Sequence, residues 1–230
     1  MTAGKVRLTW HGHACFTIDN GQYVLVLDPY KPEMIGYPPL QISAHAMLAS
    51  HQHEDHNYRA AVTFLPAPAD LVVPVSPADP WPDGADPACF LVRSIEAFHD
   101  DAKGNKRGRN LIHVIRTSGL TIAHLGDLGH PLSEDQAKAI GPLDLLLLPV
   151  GGYYTIDADQ AVQTIRQLSP RNVAPMHYQV GYGHLPIATV ESFLEKISPL
   201  YRLHELGAPV LDLSPTDQNT CFVFKFKTGS

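Results

Sequence analysis

Cysteine is scarce in this chain: Cys15, Cys89 and Cys221 are its only three, with no C-x-x-C pair and an odd total. That excludes a disulfide framework and leaves reduced, mostly core-facing thiols. Basic residues are also short, 17 Lys and Arg against 23 Asp and Glu, for a net charge of −6. Such a balance excludes the broad basic surface that tracks the phosphates of a nucleic acid, and no nucleic-acid partner is expected. Long hydrophobic runs are missing. The longest apolar stretch, residues 143–150, is broken by Asp144 and is far too short to span a bilayer. The first five residues lead into an alternating segment without an apolar stretch or a small-residue cleavage site, so no signal peptide is read. A cytoplasmic protein without membrane contact is expected.

Hydrophobic residues reach 44% and charged residues 17% of 230, enough apolar material for a sizeable core and too much for a disordered chain. One domain over 1–230 is expected. Neither a low-complexity tract nor a solenoid-type repeat interrupts it. Val6, Leu8 and Trp10 alternate with polar positions; a strand at 16–18, a hairpin signal at Asn20-Gly21 and a strand at 23–27 follow. Prolines and a glycine make 29–45 an irregular loop, 46–49 reads as a short buried strand, and 57–65 as a helix closed by Pro66 and Pro68. Strands are predicted at 71–75, 90–98, 110–117, 120–125, 144–150, 173–176, 210–213 and 221–226, and a Pro- and Asp-rich loop at 76–87. Helices are predicted from Ser133, over 157–168 and over 187–197. Strands first, then strands alternating with helices, predict an α/β fold of two sheets packed face to face with helices outside.

Histidine is the residue in excess: 13 are present, and they cluster. The densest segment is Ser50-His51-Gln52-His53-Glu54-Asp55-His56, where a buried strand is expected to end. Residues two apart in an extended segment point the same way, so His51 and His53 can present both imidazoles to one ion. Asp55 and His56 can face a second point beside it. Neutral imidazole and carboxylate oxygen are the usual ligands of a transition metal.

The H-x-H-x-D-H segment after a buried strand resembles that of the metallo-β-lactamase superfamily, and in particular its small bacterial metal-dependent hydrolases similar to the ascorbate-6-phosphate lactonase. Further segments carry the likeness: Gly12-His13-Ala14-Cys15-Phe16, Asp28-Pro29, Ala97-Phe98-His99, His124-Leu125-Gly126-Asp127, Leu148-Pro149-Val150-Gly151-Gly152 and Pro175-Met176-His177-Tyr178. The resemblance implies a four-layer αβ/βα sandwich of two mixed β-sheets with helices on the outer faces. It also implies two adjacent metal positions, the first held by His51, His53 and His99, the second by Asp55, His56 and His177, with Asp127 bridging. For Asp127 alone, capping of the following loop between Gly126 and Gly129 is the other reading. No cysteine falls in this set. Zinc is the expected ion, one or two per chain, and manganese or iron also suits five imidazoles and two carboxylates.

The implied activity is hydrolysis of a small-molecule ester, lactone or related bond by a metal-bound hydroxide. Asp127 would orient the attacking group and Asp55 would accept or relay a proton. His184, on a glycine-rich loop, is either a general acid or a plain surface residue. His124 is a candidate supporting donor, and Asp100 is expected to orient something other than His99. Tyr153, Tyr154, Tyr178 and Tyr182 either shape a pocket wall or pack ordinarily. Lys103, Lys106, Arg107 and Arg109 form either a rim that attracts an anionic substrate or, as favoured here, a solvated hairpin tip. Leu128 stands where many relatives have a hydroxyl residue. A phosphodiesterase or nuclease on the same fold, and a non-catalytic metal-binding regulator, are the alternatives. A homo-oligomer is compatible with the sequence.

Overall fold

In the computed structural model, which describes residues 4–84 and 88–227, the alternation at the start of the chain becomes β1 (Val6–Gly12), with Val6, Leu8 and Trp10 buried. β2 (Cys15–Asp19) and β3 (Val24–Leu27) follow as antiparallel neighbours. Their turn is held by the Asn20 side chain, whose Oδ1 accepts from the Gln22 and Tyr23 amides. Next come α1 (Pro32–Ile35), β4 (Ile42–Ala44), β5 (Ala46–Leu48), a 3₁₀ turn (Arg59–Ala61), β6 (Val62–Phe64) and β7 (Val72–Pro74). The long strands β8 (Phe90–Phe98) and β9 (Arg109–Thr117) pair as a hairpin and β10 (Leu120–His124) adds to it. Then α2 (Glu134–Ile140), β11 (Leu145–Pro149), α3 (Ala158–Leu168), β12 (Asn172–Met176) and α4 (Glu191–Ile197) alternate, and β13 (Arg202–Glu205), β14 (Val210–Leu213) and β15 (Thr220–Val223) end the chain. Of the loop expected over 76–87, residues 85–87 lie outside the described residues, as do the first three of the N-terminal segment.

Two mixed sheets result, one of five strands in the order β14-β1-β2-β3-β5 and one of eight in the order β13-β15-β12-β11-β10-β9-β8-β7. Leu8, Trp10, Phe16 and Ile18 of the first share one apolar cluster with Ile112, Val114, Ile122 and Leu146 of the second. Every residue of β11, Leu-Leu-Leu-Leu-Pro, is buried, as expected of a parallel strand covered on both faces. Its outer cover is helical. α3 turns Ala161, Val162 and Ile165 inward and packs beside α2 and α4. Capping boxes set the starts of α2 (Ser133 with Gln136) and α3 (Asp157 with Gln160).

The helix expected over 187–197 begins only at Glu191, and the strand expected over 221–226 ends at Val223; two further stretches differ in kind. Residues 29–45 are not one irregular loop: Pro32 opens α1, Gly36 closes it at φ 73°, and β4 follows. Residues 57–65 are not a helix but the 3₁₀ turn and β6, because β-branched Val62 and Thr63 pair in parallel with Ile42 and Ser43. This ribbon and α1 cover the outer face of the five-stranded sheet through Cys15, Val26, Ile35, Ile42 and Val62. On that side the outer layer is therefore one helical turn and a two-stranded ribbon, since Pro29, Pro32, Pro38 and Pro39 deny the segment a long helix. β5, expected to be buried, is half-buried at the sheet edge. β13 was not anticipated; all four of its residues are exposed, so no apolar alternation marks it. No helix among the described residues is long and apolar enough to cross a membrane.

Histidines also serve the core. His113 is buried, with Nε2 donating to the Ala49 carbonyl at 3.1 Å and Nδ1 beside Ser94 Oγ at 3.0 Å. Burial holds its imidazole below the ordinary histidine value. The unfolded chain therefore takes up this proton first as pH falls below about 6.5, and the folded state loses stability there. The stability advantage of wild type over His113→Asn is expected to shrink from pH 7 to pH 5, by at most about 1.4 kcal/mol per pH unit. Urea midpoints of the metal-free proteins measure this, and a pH-independent difference would refute it.

Candidate metal centre

The ends of four strands and one hairpin turn meet on a single rim. His51 follows β5, His99 follows β8, Asp127 follows β10 and His177 follows β12, while His13 lies in the turn from β1 to β2. Close backbone approach makes this convergence possible. A Cβ on Gly126 would sit 2.4 Å from Ser50 Cβ, and one on Gly129 2.4 Å from the His99 carbonyl carbon. Only glycine on both sides of Asp127 lets its loop pass between the segments that carry His51 and His99.

Asp127 is the hub. Its Oδ1 lies 3.2 Å from His56 Nε2, and its Oδ2 lies 3.1 Å from His99 Nε2 and 3.3 Å from His177 Nε2. Both oxygens thus face imidazoles, not backbone amides, and the capping role is not the one its side chain adopts. Ligand atoms of His51, His53 and His99 lie within 4.8 Å of one another, as do those of His51, His56 and Asp127, and those of His13, His56 and His177. Asp55, half-buried at the cleft, places Oδ2 3.6 Å from His13 Nε2. All seven residues expected as ligands are on this rim; His53 alone is exposed.

A second tier of groups aims the rings. Buried Asp28 accepts from the Ser50 amide at 2.6 Å, from Ser50 Oγ at 2.6 Å and from His56 Nδ1 at 2.7 Å. With its hydroxyl proton on Asp28, Ser50 Oγ accepts from His51 Nδ1 at 2.9 Å. One carboxylate therefore sets two imidazoles so that each turns Nε2 toward the rim. His99 Nδ1 donates to the Tyr154 carbonyl at 3.1 Å with the same consequence. Asn110 accepts from the Asp127 amide and donates to the Leu125 carbonyl, at 2.9 Å each. His124, the candidate supporting donor, bonds Ala14 O at 2.8 Å and accepts from the Gly126 amide at 3.2 Å, so it braces the loop of Asp127 through the backbone. Sequence reasoning missed Ser50 and Asn110 and took Asp28 only as a matching loop. The available signal was position: Asp28 ends a strand and Ser50 precedes His51.

Burial opposes charge on every one of these groups, and the pattern of shifts shows which neighbours overcome it. For Asp127, burial is outweighed by His177 and His56, which hold its carboxyl well below the usual range. For Asp28, His56 does the same, and for Asp55 the opposing groups are His13 and His56. Asp127 and Asp28 in turn outweigh burial at His56 and raise its imidazole well above the ordinary value. His51, pushed down to about 3 by burial and by His56, is a neutral base at physiological pH.

These residues fit divalent cations. His51 Nε2, His56 Nε2 and Asp127 Oδ1 are buried and make no hydrogen bond, although they face one another. Buried polar atoms that face one another without hydrogen bonds are costly, and a cation between them removes the cost. The donors are nitrogen and oxygen with no thiolate, a set suited to zinc and also to manganese or iron.

Above the rim opens a cleft of ≈ 680 Å³, lined by His53, Asp55, His99, Asp127 and His177, with Met34, Tyr154, Leu185, Pro186 and Arg107 among its walls. Among the four tyrosines singled out, Tyr154 lines it, Tyr178 is buried against Trp10, and Tyr153 and Tyr182 are exposed. His184 also lines it, but its Nε2 donates to the Met34 carbonyl at 2.9 Å. Asp100 organises the hairpin tip, accepting from the amides of Ala102, Gly104, Lys106 and Arg107. These bonds overcome burial and hold its carboxyl down at about 2. Of the tip's cations, Lys106 pairs with Asp101 and Arg109 with Glu96 at the surface, whereas Arg107 reaches the cleft. Leu128 is buried in the core.

Comparison with known proteins places this geometry in a family. Residues 7–177 match the model of the β-lactamase superfamily domain. A UPF0173 metal-dependent hydrolase of Thermoplasma acidophilum is 27% identical over 188 residues, covering 76% of this chain and 84% of the relative. One from Thermococcus kodakarensis is 28% identical over 196 residues, covering 75% and 84%. Among solved structures, one from Thermotoga maritima, described as a Zn-dependent hydrolase of the metallo-β-lactamase superfamily, superposes with a TM-score of 0.68 at 28% identity, covering 96% of this chain and 99% of that one. The metallo-hydrolase Igni18 of Ignicoccus hospitalis shares the fold, with a TM-score of 0.58 at 20% identity over 85% of this chain and 91% of its own.

His51→Ala and Asp127→Ala are each expected to lose bound metal, read by elemental analysis of the purified proteins. Asp28→Asn, which touches no ion, is expected to weaken metal binding by about 10- to 100-fold, read by chelator competition. Wild-type metal content in either alanine variant would overturn the ligand assignment.

Proposed function

The chain belongs to the β-lactamase superfamily, as a metal-dependent hydrolase of the metallo-β-lactamase fold, and from that premise we propose that it hydrolyses an ester, lactone or related bond of a small anionic molecule. The observation that carries this reading is the cleft itself. Its ≈ 680 Å³ lies directly over Asp55, His99, Asp127 and His177, within the range of about 300–1,000 Å³ that small ligands occupy. Zinc is the expected ion, and the groups His51–His53–His99 and His13–His56–His177, with Asp127 touching members of both, support two per chain. Held by these residues, divalent ions would supply Lewis acidity and a water acidified from a pKa of 15.7 towards about 7.

The chain's own residues supply the rest. Asp127 spans both groups of imidazoles, with Oδ2 between His99 and His177 and Oδ1 beside His56, and keeps them in register with the cleft floor. Asp55, ionised and half-buried, accepts the proton as the O–H bond of the attacking water breaks and returns it to the leaving oxygen. We assign that return to Asp55 and not to His184, because the Nε2 proton of His184 is committed to Met34 and Nδ1 lies against Gly36. His184 fastens its loop to α1 and completes the wall. No serine or cysteine nucleophile enters the scheme.

Arg107 determines the charge of the substrate. It is the only Lys or Arg lining the cleft among the described residues. Its backbone is clamped by Asp100 next to His99, its guanidinium bonds the Tyr153 carbonyl at 3.3 Å and lies 5.4 Å from the Tyr154 ring centre. Among the described residues no carboxylate pairs with it, so a carboxylate or phosphate on the substrate can take its remaining donors. Met34, Leu185 and Pro186 offer the apolar remainder of the wall.

The test is a panel of lactones, esters, thioesters and phosphodiesters, with neutral and anionic members, assayed before and after chelation and with zinc or manganese restored. Turnover of small anionic esters or lactones, lost on chelation and regained with the ion, is expected. Absence of turnover in the metal-loaded protein, or turnover indifferent to chelation, would defeat the reading. Arg107→Ala is expected to raise KM for anionic substrates by about 10-fold or more with little change in kcat, and to leave neutral ones unaffected. An unchanged KM for anionic substrates would remove Arg107 from this role.

A further inference from the structure

His13 is not among the seven ligands expected from the sequence, yet its ligand atoms lie within 4.8 Å of those of His56 and His177. Its exposure is 0%, and neither ring nitrogen has a hydrogen-bond partner. Its ring centre lies 4.1 Å from that of His177 and 4.8 Å from that of His56. The backbone locks it there. The His13 carbonyl accepts from the His177 amide at 3.0 Å and from Trp10 Nε1 at 3.0 Å, and its φ of 53° is a left-handed conformation set by the hairpin turn. A buried imidazole held this firmly, with both nitrogens unpartnered, is aimed at something other than protein.

Its distance from Asp55 shows what. Nε2 lies 3.6 Å from Asp55 Oδ2, longer than a hydrogen bond, which falls at about 2.7–3.2 Å. Where an imidazole on this rim does bond a carboxylate, as His56 Nδ1 bonds Asp28, the distance is 2.7 Å. Two ligands of one ion with bonds of about 2.1 Å stand roughly 3.4 Å apart in a tetrahedral shell, and His177 Nε2 and Asp127 Oδ2 are 3.3 Å apart. The His13–Asp55 separation falls near that spacing. We propose that His13 is a direct ligand of the second metal position, which it shares with Asp55, His56, His177 and Asp127. The inference rests on the metal-site reading and adds a residue to it.

Its consequence is asymmetry. The first position has four protein groups, His51, His53, His99 and Asp127; the second then has five, three imidazoles and two carboxylates. Zinc settles with about four ligands, whereas manganese and iron take about six. The second position is therefore the one that accepts an ion of higher coordination number, and His13 is the residue that makes it so.

The test uses the full-length protein, stripped of metal and titrated with zinc. Imidazole nitrogens are followed by ¹⁵N NMR with His13 assigned by difference, and ion content by elemental analysis. His13→Asn is the variant of choice, because asparagine tolerates the left-handed backbone. In wild type, a His13 ring nitrogen is expected to shift with the equivalent that fills the second position. In His13→Asn the first ion is expected to bind as before and the second about 10-fold or more weakly. His13 nitrogens unmoved at saturation, whatever the stoichiometry, would overturn the inference, as would two ions bound by His13→Asn with wild-type affinity. Should His13→Asn fail to fold, judged by circular dichroism of the metal-free protein, the wild-type NMR titration decides alone. A wild type that binds no ion at all would defeat the metal-site reading itself, a result distinct from ions bound with His13 unmoved.

Discussion

One buried carboxylate governs the arrangement. Asp127 is 1% exposed and is met by His56, His99 and His177, which arrive from three different parts of the chain. An ionised carboxylate in such a place is costly unless positive charge compensates it. Without a cation that compensation falls to the imidazoles, and Asp127 and Asp28 raise His56 well above the ordinary histidine value. A cation would take over that compensation, and metal binding at such a rim competes with protons. The fold stores this electrostatic demand in its core and presents it at the floor of a cleft.

Asp28 carries the same logic one layer deeper. It draws Ser50, His51 and His56 into one hydrogen-bonded relay, and so couples the position that His51 serves with the position that His56 serves. Because Nδ1 of both rings is bound on that side, Nε2 of both is free on the other. Glycines 126 and 129 complete the geometry by allowing two loops to touch where any side chain would collide. The geometry of this rim is thus specified by residues that never reach the cleft, and the proposed choice of substrate would fall to the walls of the cleft, Arg107 and Tyr154 among them.

Legibility in the sequence followed the range of the interactions. Strong local patterns were readable: the alternation of Val6, Leu8 and Trp10, the capping residue Ser133, and the apolar stripe of α3. The segment 57–65 was misread because its helix propensity is a local quantity, whereas pairing of Ile42–Ala44 with Val62–Phe64 joins segments twenty residues apart. His51, His53, Asp55 and His56 were legible as a group because they lie within six positions. His13 was not. Alone in a turn, a histidine carries no sign of what will surround it, and only the antiparallel pairing of β1 with β2 and the amide of His177 bring it to the rim. Arg107 was likewise one of four neighbouring cations until the fold paired Lys106 and Arg109 elsewhere.

The amino-acid order by itself determined that this chain folds into two sheets with helices and carries a compact cluster of metal-binding side chains, because period, capping and short spacing are properties of neighbours. Tertiary structure alone decided which oxygen of Asp127 meets which imidazole, which way each ring turns, that Arg107 stands at the cleft and that His13 stands at the rim. Those outcomes depend on the directions of strand ends and on backbone approaches between segments as far apart as Ser50 and Gly126. Such distances are set by packing, and no reading of adjacent residues contains them.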